Sequence, residues 1–484
     1  MKELIEQSSN RKIFFFLTFA FLAFYAVQVP LVTSNADAMT FSCRALSHVP
    51  ITRYAYLDER SLLGQSSLPN YHLAHTAALW LAYHVLPSEI SHSIWPSGFV
   101  SALCGALCAG LTFLIWFRLG FGKIVSFTSA VIAGLMPAIW NMSVLGLPYS
   151  MQLAATLLFL YCFLADRMVM ATAAFVFAVC VSPIAGLSFS LVFLAPLTKR
   201  TIVKAVVCGV ASLLLYFLIM YILKINVLEA FGAITPKSKD RSVAYKFFTF
   251  LLILILNVNF MVPQLVRGSK ILWSRHRAKT IGLFIVTVPW FLLGAKDSQF
   301  LNLPGNFLLL IFWALSLPVG LALTKVYHPV RRYFLIFFGI LCTYMVFCFF
   351  PDISVGLART DAGNQLRTQV PHNVKIIGQW SCGVPITLEK YGWDLEKLES
   401  SYFESDGRAL NDSIVSKTGE KSLLIVIRKE DKIHRTLKAY GVPGLLTRDF
   451  DPKDFKITGV INKVLENNAL IVYKWDGNAS VQKQ

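Results

Sequence analysis

The sequence predicts a polytopic α-helical membrane protein of about eleven transmembrane helices with a small α/β domain at its carboxyl end. Three observations predict it. Apolar runs of membrane-spanning length follow one another from the amino end as far as Phe350. Hydrophobic residues make up 55% of the chain and charged residues only 15%, against roughly 25% charged in a soluble domain. At Asp352 the pattern stops, and a segment of ordinary soluble composition runs to Gln484. The expected organisation is therefore a membrane domain over 1–351, with a large first outer loop over 34–94, and a soluble extracytoplasmic α/β domain over 352–484.

The first run, Ile13 to Thr33, follows Arg11-Lys12. It exceeds the roughly 7–15 apolar residues of a signal peptide and reads as a retained anchor. Further spans are expected near 95–117, 123–142, 148–165, 203–223, 245–265, 280–295, 306–324 and 333–350. Met168 to Leu197 is too long for one straight span, and Ser182-Pro183 with Gly186 in its middle breaks helical hydrogen bonding. Two short helices meeting at the outer side are predicted there.

The loops then orient the chain. Arg118 and Lys123, Arg167, Lys199-Arg200, the 264–280 segment with Arg267, Lys270, Arg275, Arg277 and Lys279, and Lys325, Arg331 and Arg332 all fall in turns on the same side. Basic turns mark the cytoplasmic face. An odd number of crossings puts the first loop and the tail on the other side of a bacterial inner membrane, or of the ER membrane in a eukaryote. In this setting the formal net charge of +18 belongs to membrane orientation and lipid headgroups, and nucleic acid is not an expected partner.

Cys104, Cys108, Cys162, Cys180, Cys208, Cys342 and Cys348 lie inside predicted spans as small buried hydrophobes. Cys43 and Cys382 lie outside them, in a compartment where a disulfide between first loop and tail is a candidate. No CxxC or zinc spacing occurs. Asn141, Asn411 and Asn478 begin Asn-x-Ser triplets, which chance alone also produces. In the tail, Leu423–Ile427 and Leu470–Val472 read as buried strands, and Lys432–Tyr440 as a helix ended by Gly441.

The first loop concentrates the ionisable residues. Asp37 stands just beyond the first span, followed by Arg44, His48, Arg53 and Asp58-Glu59-Arg60. After Pro69-Asn70-Tyr71-His72-Leu73-Ala74-His75 the sequence turns helical through Leu86, which suits a helix lying at the membrane interface. His72 and His75 share one face of it. That face reads either as a polar interfacial surface or as part of a metal site, and no acidic ligand shares the spacing. Asp37 reads either as a solvated loop carboxylate or as a base partly desolvated at the lipid boundary.

This layout resembles the GT-C superfamily of integral-membrane glycosyltransferases, which use polyprenyl-phosphate sugars and include the protein mannosyltransferase and aminoarabinose transferase families. The resemblance rests on architecture over roughly residues 10–350: a short first span, the acid in Ser34-Asn35-Ala36-Asp37, the interfacial helix after Pro69, the broken Ser182-Pro183-Ile184-Ala185-Gly186 pair, and Leu303-Pro304-Gly305-Asn306-Phe307 before a late span. It implies a reaction-centre role for Asp37. Several families carry an adjacent acidic pair there, whereas here Asp37 stands alone and Asp58-Glu59 lies downstream.

The chemistry agrees with one carboxylate. A base must take the acceptor hydroxyl proton, whereas the phosphate leaving group, with a second pKa near ~6, needs little acid help. It needs positive charge, and the candidates are Arg53, Arg60, Lys237, Lys239, Arg241 and Lys296. Tyr71, His72, His75, Asp58, Glu59 and Asp297 are candidates for acceptor or interfacial contact. Asp297 is also a candidate for a divalent metal, whose need is left open. The implied partners are a polyprenyl-phosphate-linked sugar, a lipid, glycan or protein acceptor, and membrane lipids. A transporter or flippase, a polymerase or ligase of lipid-linked glycans, and a non-catalytic assembly subunit remain as alternatives. Transporters carry ionisable residues at mid-span, and these spans read as almost wholly apolar there.

Overall fold

The computed structural model describes residues 2–32, 72–87, 95–223, 261–296 and 308–326 of the helical part, and 374–379, 402–404, 421–428, 459–467 and 470–477 of the carboxy-terminal part, with single positions between them. The chain divides into two compact units. One comprises Met1–Val29, Asn70–Ala78 and Gly98–Cys348, the other Pro30–Pro69, Leu79–Ser97 and Phe349–Gln484.

The helices follow the apolar runs. They are α1 (Lys2–Ala26), the short α2 (Val29–Val32), α3 (Leu73–Val85), α4 (Trp95–Arg118), α5 (Lys123–Leu135), α6 (Pro137–Met142), α7 (Pro148–Leu164), α8 (Met168–Val181), a 3-10 helix (Pro183–Leu194), α9 (Lys199–Ile222), α10 (Val262–Arg275), α11 (Arg277–Lys296) and α12 (Leu309–Val326). Among the described residues α4 and α9, with 24 residues each, are long and apolar enough to cross a bilayer unaided. At 1.5 Å per residue each measures about 36 Å, beyond the roughly 30 Å hydrocarbon core.

Two expectations change. The 123–142 run is not one straight helix. Pro137 disfavours helical geometry at Met136, which is extended at φ −62° and ψ 127°, so α5 ends there and α6 restarts with Pro137 in its first turn. The 264–275 stretch is not a turn either, but helix α10, packed along α12 with Gly268 against the Pro318 carbonyl. The broken pair is found as predicted, since Ser182 is extended between α8 and the 3-10 helix. Gly186 lies inside the 3-10 helix, four residues beyond Ser182, and a Cβ added there meets nothing within 4 Å.

Other close approaches use small residues, as membrane helix interfaces do. Gly134 of α5 receives the Phe21 ring of α1, Gly105 of α4 faces Ser143, Gly320 of α12 faces Ser129, and Gly282 of α11 faces the Phe193 backbone. Stacked indoles, Trp116 on Trp313 at 4.4 Å, fill the middle, and Trp313 Nε1 donates to Thr112 Oγ1 at 3.0 Å. The five described cysteines, Cys104, Cys108, Cys162, Cys180 and Cys208, are buried free thiols.

One end of the helical unit is basic and cross-braced. Arg118 Nε donates to the Leu164 carbonyl at 2.8 Å, and Lys279 Nζ donates to the Leu119 carbonyl while lying 4.7 Å from the Phe121 ring. Asp166, in the left-handed region at φ 63°, closes α7 and pairs with Arg200 at 2.9 Å and with Lys204. The Lys204 hydrogen bond holds the Asp166 carboxyl below the usual range, and the Arg200 and Arg118 charges act in the same direction. The turns read from sequence as basic and inner, after α4, α7 and the 3-10 helix and before α11, therefore meet at a single end.

The carboxy-terminal part holds a five-stranded mixed sheet in the order β2-β1-β3-β5-β4, from β1 (Lys375–Gln379), β2 (Tyr402–Glu404), β3 (Ser422–Arg428), β4 (Val460–Glu466) and β5 (Leu470–Asp476). β1 runs parallel to β2 and β3, whereas β3, β5 and β4 pair antiparallel. The two strands expected at 423–427 and 470–472 are the middle of β3 and the start of β5. Leu424, Val426, Leu470 and Val472, with Ile376, Leu465, Ala362 and Leu366, form their core. The helix expected at Lys432–Tyr440 lies outside the described residues.

Candidate functional site

At the end opposite the basic turns, each break in a helix frees backbone groups, and neutral polar side chains from distant segments take them up. Met136 offers no side-chain cap to α6, and the Ala138 N–H is instead received by Asn257 Oδ1 at 2.7 Å. Trp140 of α6 donates from Nε1 to Gln28 Oε1 at 2.8 Å, and Gln28 Nε2 donates to the Phe24 carbonyl at 2.6 Å. Tyr25 donates its hydroxyl to the Gly134 carbonyl at 2.5 Å. Ser101 Oγ reaches the Leu147 carbonyl at 3.0 Å, just before α7. The exit of the first span is thus pinned to the α5–α6 break.

His72 belongs to the same end. Its Nδ1 lies 2.6 Å from the Val181 carbonyl. A carbonyl only accepts, so Nδ1 carries a proton. Val181 is the last residue of α8, and the Ala185 N–H that a continuous helix would give it bonds the Ser182 carbonyl instead, so the ring satisfies a carbonyl left over by the break. Both His72 and His75 are buried, with Leu73, Thr76, Leu79 and Tyr83 on the same face of α3. The exposed side carries Trp80, Leu81 and Val85.

This corrects the expected polar interfacial surface. Its two histidines and Thr76 turn inward together with Leu73, Leu79 and Tyr83, and the outward side carries Ala77, Trp80, Leu81, His84 and Val85. His72→Leu leaves the Val181 carbonyl unpaired in a buried site and should cost about 1–3 kcal/mol, whereas His72→Gln keeps an N–H donor and should cost less. Thermal unfolding of the purified protein reads the difference. Equal midpoints for His72→Leu and the parent would remove this bond from the account.

Between α7, the 3-10 helix, α11 and α12 lies an open recess of about 240 Å³ lined by Tyr149, Gln152, Thr156, Ser188, Trp290 and three leucines. Its inner space of about 10 Å³ is one water's worth. Thr156 Oγ1 donates to Ser188 Oγ at 3.3 Å. Trp290 Nε1, on a residue only 2% exposed, has no hydrogen-bond partner among the described residues. These groups are neutral donors and acceptors, able to hold a water or a neutral oxygen but not to balance a charge. The sequence reading overlooked them by searching the spans for ionisable groups alone. The signal was there: an amide inside an apolar run, at Gln28, Gln152 and Asn257, is costly unless it is paired.

Asp37, Arg53, Asp58, Glu59, Arg60, Tyr71, Lys237, Lys239, Arg241, Asp297, Cys43 and Cys382 lie outside the described residues. Lys296 is the last residue of α11. Ala38, next to Asp37, is fully buried, and its carbonyl accepts from Ser42 Oγ at 2.9 Å. Among the described residues no three His, Cys, Asp or Glu side chains gather as a metal site. Asn141 is buried in α6, which removes it as a glycosylation acceptor; Asn411 and Asn478 lie outside the described residues.

By sequence the chain matches no family model and no curated protein. In three dimensions it aligns, over 95% of its length and 97% of the other chain, with ArnT from Cupriavidus metallidurans in the crystal structure bound to undecaprenyl phosphate, at a TM-score of 0.58 and 13% identity. This chain shares its fold with ArnT. The apo state of the same ArnT aligns at 0.54 and 14% identity over the same shares of the two chains. The apo oligosaccharyltransferase of Archaeoglobus fulgidus aligns at 0.51 and 13% identity, over 90% of this chain and 71% of that one. At such identities it is the fold that is shared.

Proposed function

We propose that this protein is a GT-C-type glycosyltransferase of a bacterial inner membrane, moving a sugar from a polyprenyl-phosphate donor to an acceptor hydroxyl on the extracytoplasmic side. The observation that carries the reading is the alignment of nearly the whole chain with ArnT, whose crystal structure holds undecaprenyl phosphate. A second observation weighs against a transporter. Among the described residues no Asp, Glu, Lys or Arg is buried, whereas ion-coupled transport draws on ionisable groups inside the bundle.

In the proposed step Asp37 accepts the acceptor proton as the acceptor oxygen bonds to the anomeric carbon. The bond from that carbon to the phosphate oxygen breaks on the opposite face, and its electron pair leaves with the polyprenyl phosphate. Attack from the far face inverts the centre. Arg53, Arg60, Lys237, Lys239, Arg241 and Lys296 are proposed to balance the charge gathering on the phosphate. The acceptor, whether lipid, glycan or protein, needs only a hydroxyl within reach of the base.

The test is release of polyprenyl phosphate from a polyprenyl-phosphate sugar by the purified protein, with lipid, glycan and protein acceptors supplied in turn. Lys237→Ala and Arg241→Ala should each weaken donor use roughly 10–100-fold, the worth of one charge-assisted hydrogen bond. If the parent releases none with any acceptor, the flippase reading takes its place.

A further inference from the structure

We infer that the exposed face of α10 is a binding site for the phosphate headgroup of an anionic phospholipid in the leaflet at the basic end of the bundle. α10 buries Gly268 and Leu272 and exposes the other side, where Val266, Arg267, Lys270, Trp273 and Ser274 follow at helical spacing. Arg277, the first residue of α11, extends the stripe, its Cζ lying 5.0 Å from the centre of the Trp273 ring. The stretch from 261 to 280 contains no Asp or Glu.

Depth makes these cations unusual. Gly268 meets the Pro318 carbonyl midway along α12, and Gly320 of α12 meets Ser129 midway along α5. Lys279 marks the basic end through its bond to Leu119. At 1.5 Å per residue, Lys270 stands about 7 Å and Arg267 about 12 Å above Arg275. Two exposed cations therefore sit on the bundle surface below its end, at a level where lipid is the neighbour. Cations at that depth need a counter-ion. The ion pairs among the described residues are Arg200–Asp166, Lys204–Asp166, Lys463–Glu466 and Lys474–Asp476, and none involves Arg267, Lys270 or Arg277.

Charge complementarity names the occupant. Three cations in a row with no acid, beside an exposed indole of the kind that settles at headgroup level, fit a phosphate drawn toward them from the leaflet. The flexible stems of Arg267 and Lys270 extend toward the boundary while their charged ends meet it. Of the other basic residues at this end, Arg118 and Lys279 are held on carbonyls and Arg200 and Lys204 on Asp166.

The site is tested in nanodiscs of equal phosphatidylglycerol and phosphatidylcholine, with the lipid that stays on the protein after mild extraction counted by mass spectrometry. The parent should retain phosphatidylglycerol in preference to phosphatidylcholine. R267Q/K270Q/R277Q should lower that preference by about tenfold or more, and R11Q/K12Q/K199Q, which removes the same net charge from other exposed positions, should keep it. K270Q alone, the milder change, should show a several-fold loss if the triple variant does not extract as a single species. Parental preference in the α10 variants, equal loss in the control, or no preference in the parent would each overturn the site.

Discussion

Asp37→Asn protein is expected to turn over a polyprenyl-phosphate sugar at least about 10²-fold more slowly than the parent, within the 10²–10⁴-fold that a positioned base supplies. Asparagine keeps the size and the hydrogen-bonding capacity of the side chain and removes only the basic lone pair, so extraction and thermal unfolding should stay at parental values. The loss should fall on kcat, because the proton moves only in the transition state. In that it differs from the changes at Lys237 and Arg241, which remove charge that also meets the bound donor.

In sequence Asp37 stands five residues beyond α2, and its neighbour Ala38 is fully buried; a carboxylate that shared this burial would lose part of its hydration. Partial desolvation raises a carboxylate's basicity, which is what a base for a hydroxyl proton needs. A parental rate from Asp37→Asn would move the search to Asp58, Glu59 and Asp297.

What the sequence disclosed and what it withheld divide along physical lines. Run length predicts a helix wherever apolar residues are continuous, so α4, α7, α9, α11 and α12 were legible to within a few residues. The break at Ser182 was legible because Pro183 lacks an N–H whatever its surroundings. The equal effect of Pro137 was hidden inside a run that looked long enough for one span. The partner of a freed carbonyl is a tertiary fact, and no spacing announces that His72 serves Val181 or that Asn257 caps α6. The facing of α3 misled for a related reason: His72 and His75 were assigned to a polar surface, and only the fold shows them buried beside Leu73 and Leu79. α10 misled through its charges, since Arg267 and Lys270 read as a turn until Gly268 is seen against Pro318.

That same contact carries the largest expected effect on stability. Gly268→Ala should destabilise the protein even though alanine is the better helix former by about 0.8–1.0 kcal/mol. A Cβ built at Gly268 falls inside the carbonyl of Pro318, and its next neighbours are other backbone atoms of the same residue. A flexible side chain could swing aside; a helix backbone cannot. α10 and α12 must separate, at an overpacking cost of about 1–3 kcal/mol or more, which exceeds the propensity gain. Gly186→Ala is the matched comparison. Its added Cβ meets nothing within 4 Å, so the reduced freedom of the unfolded chain should leave it neutral or stabilised by up to about 1 kcal/mol. Thermal unfolding of the two variants should therefore move in opposite directions, or at least separate clearly, and a Gly268→Ala midpoint at or above that of Gly186→Ala would mean that α10 does not pack on α12 through this glycine.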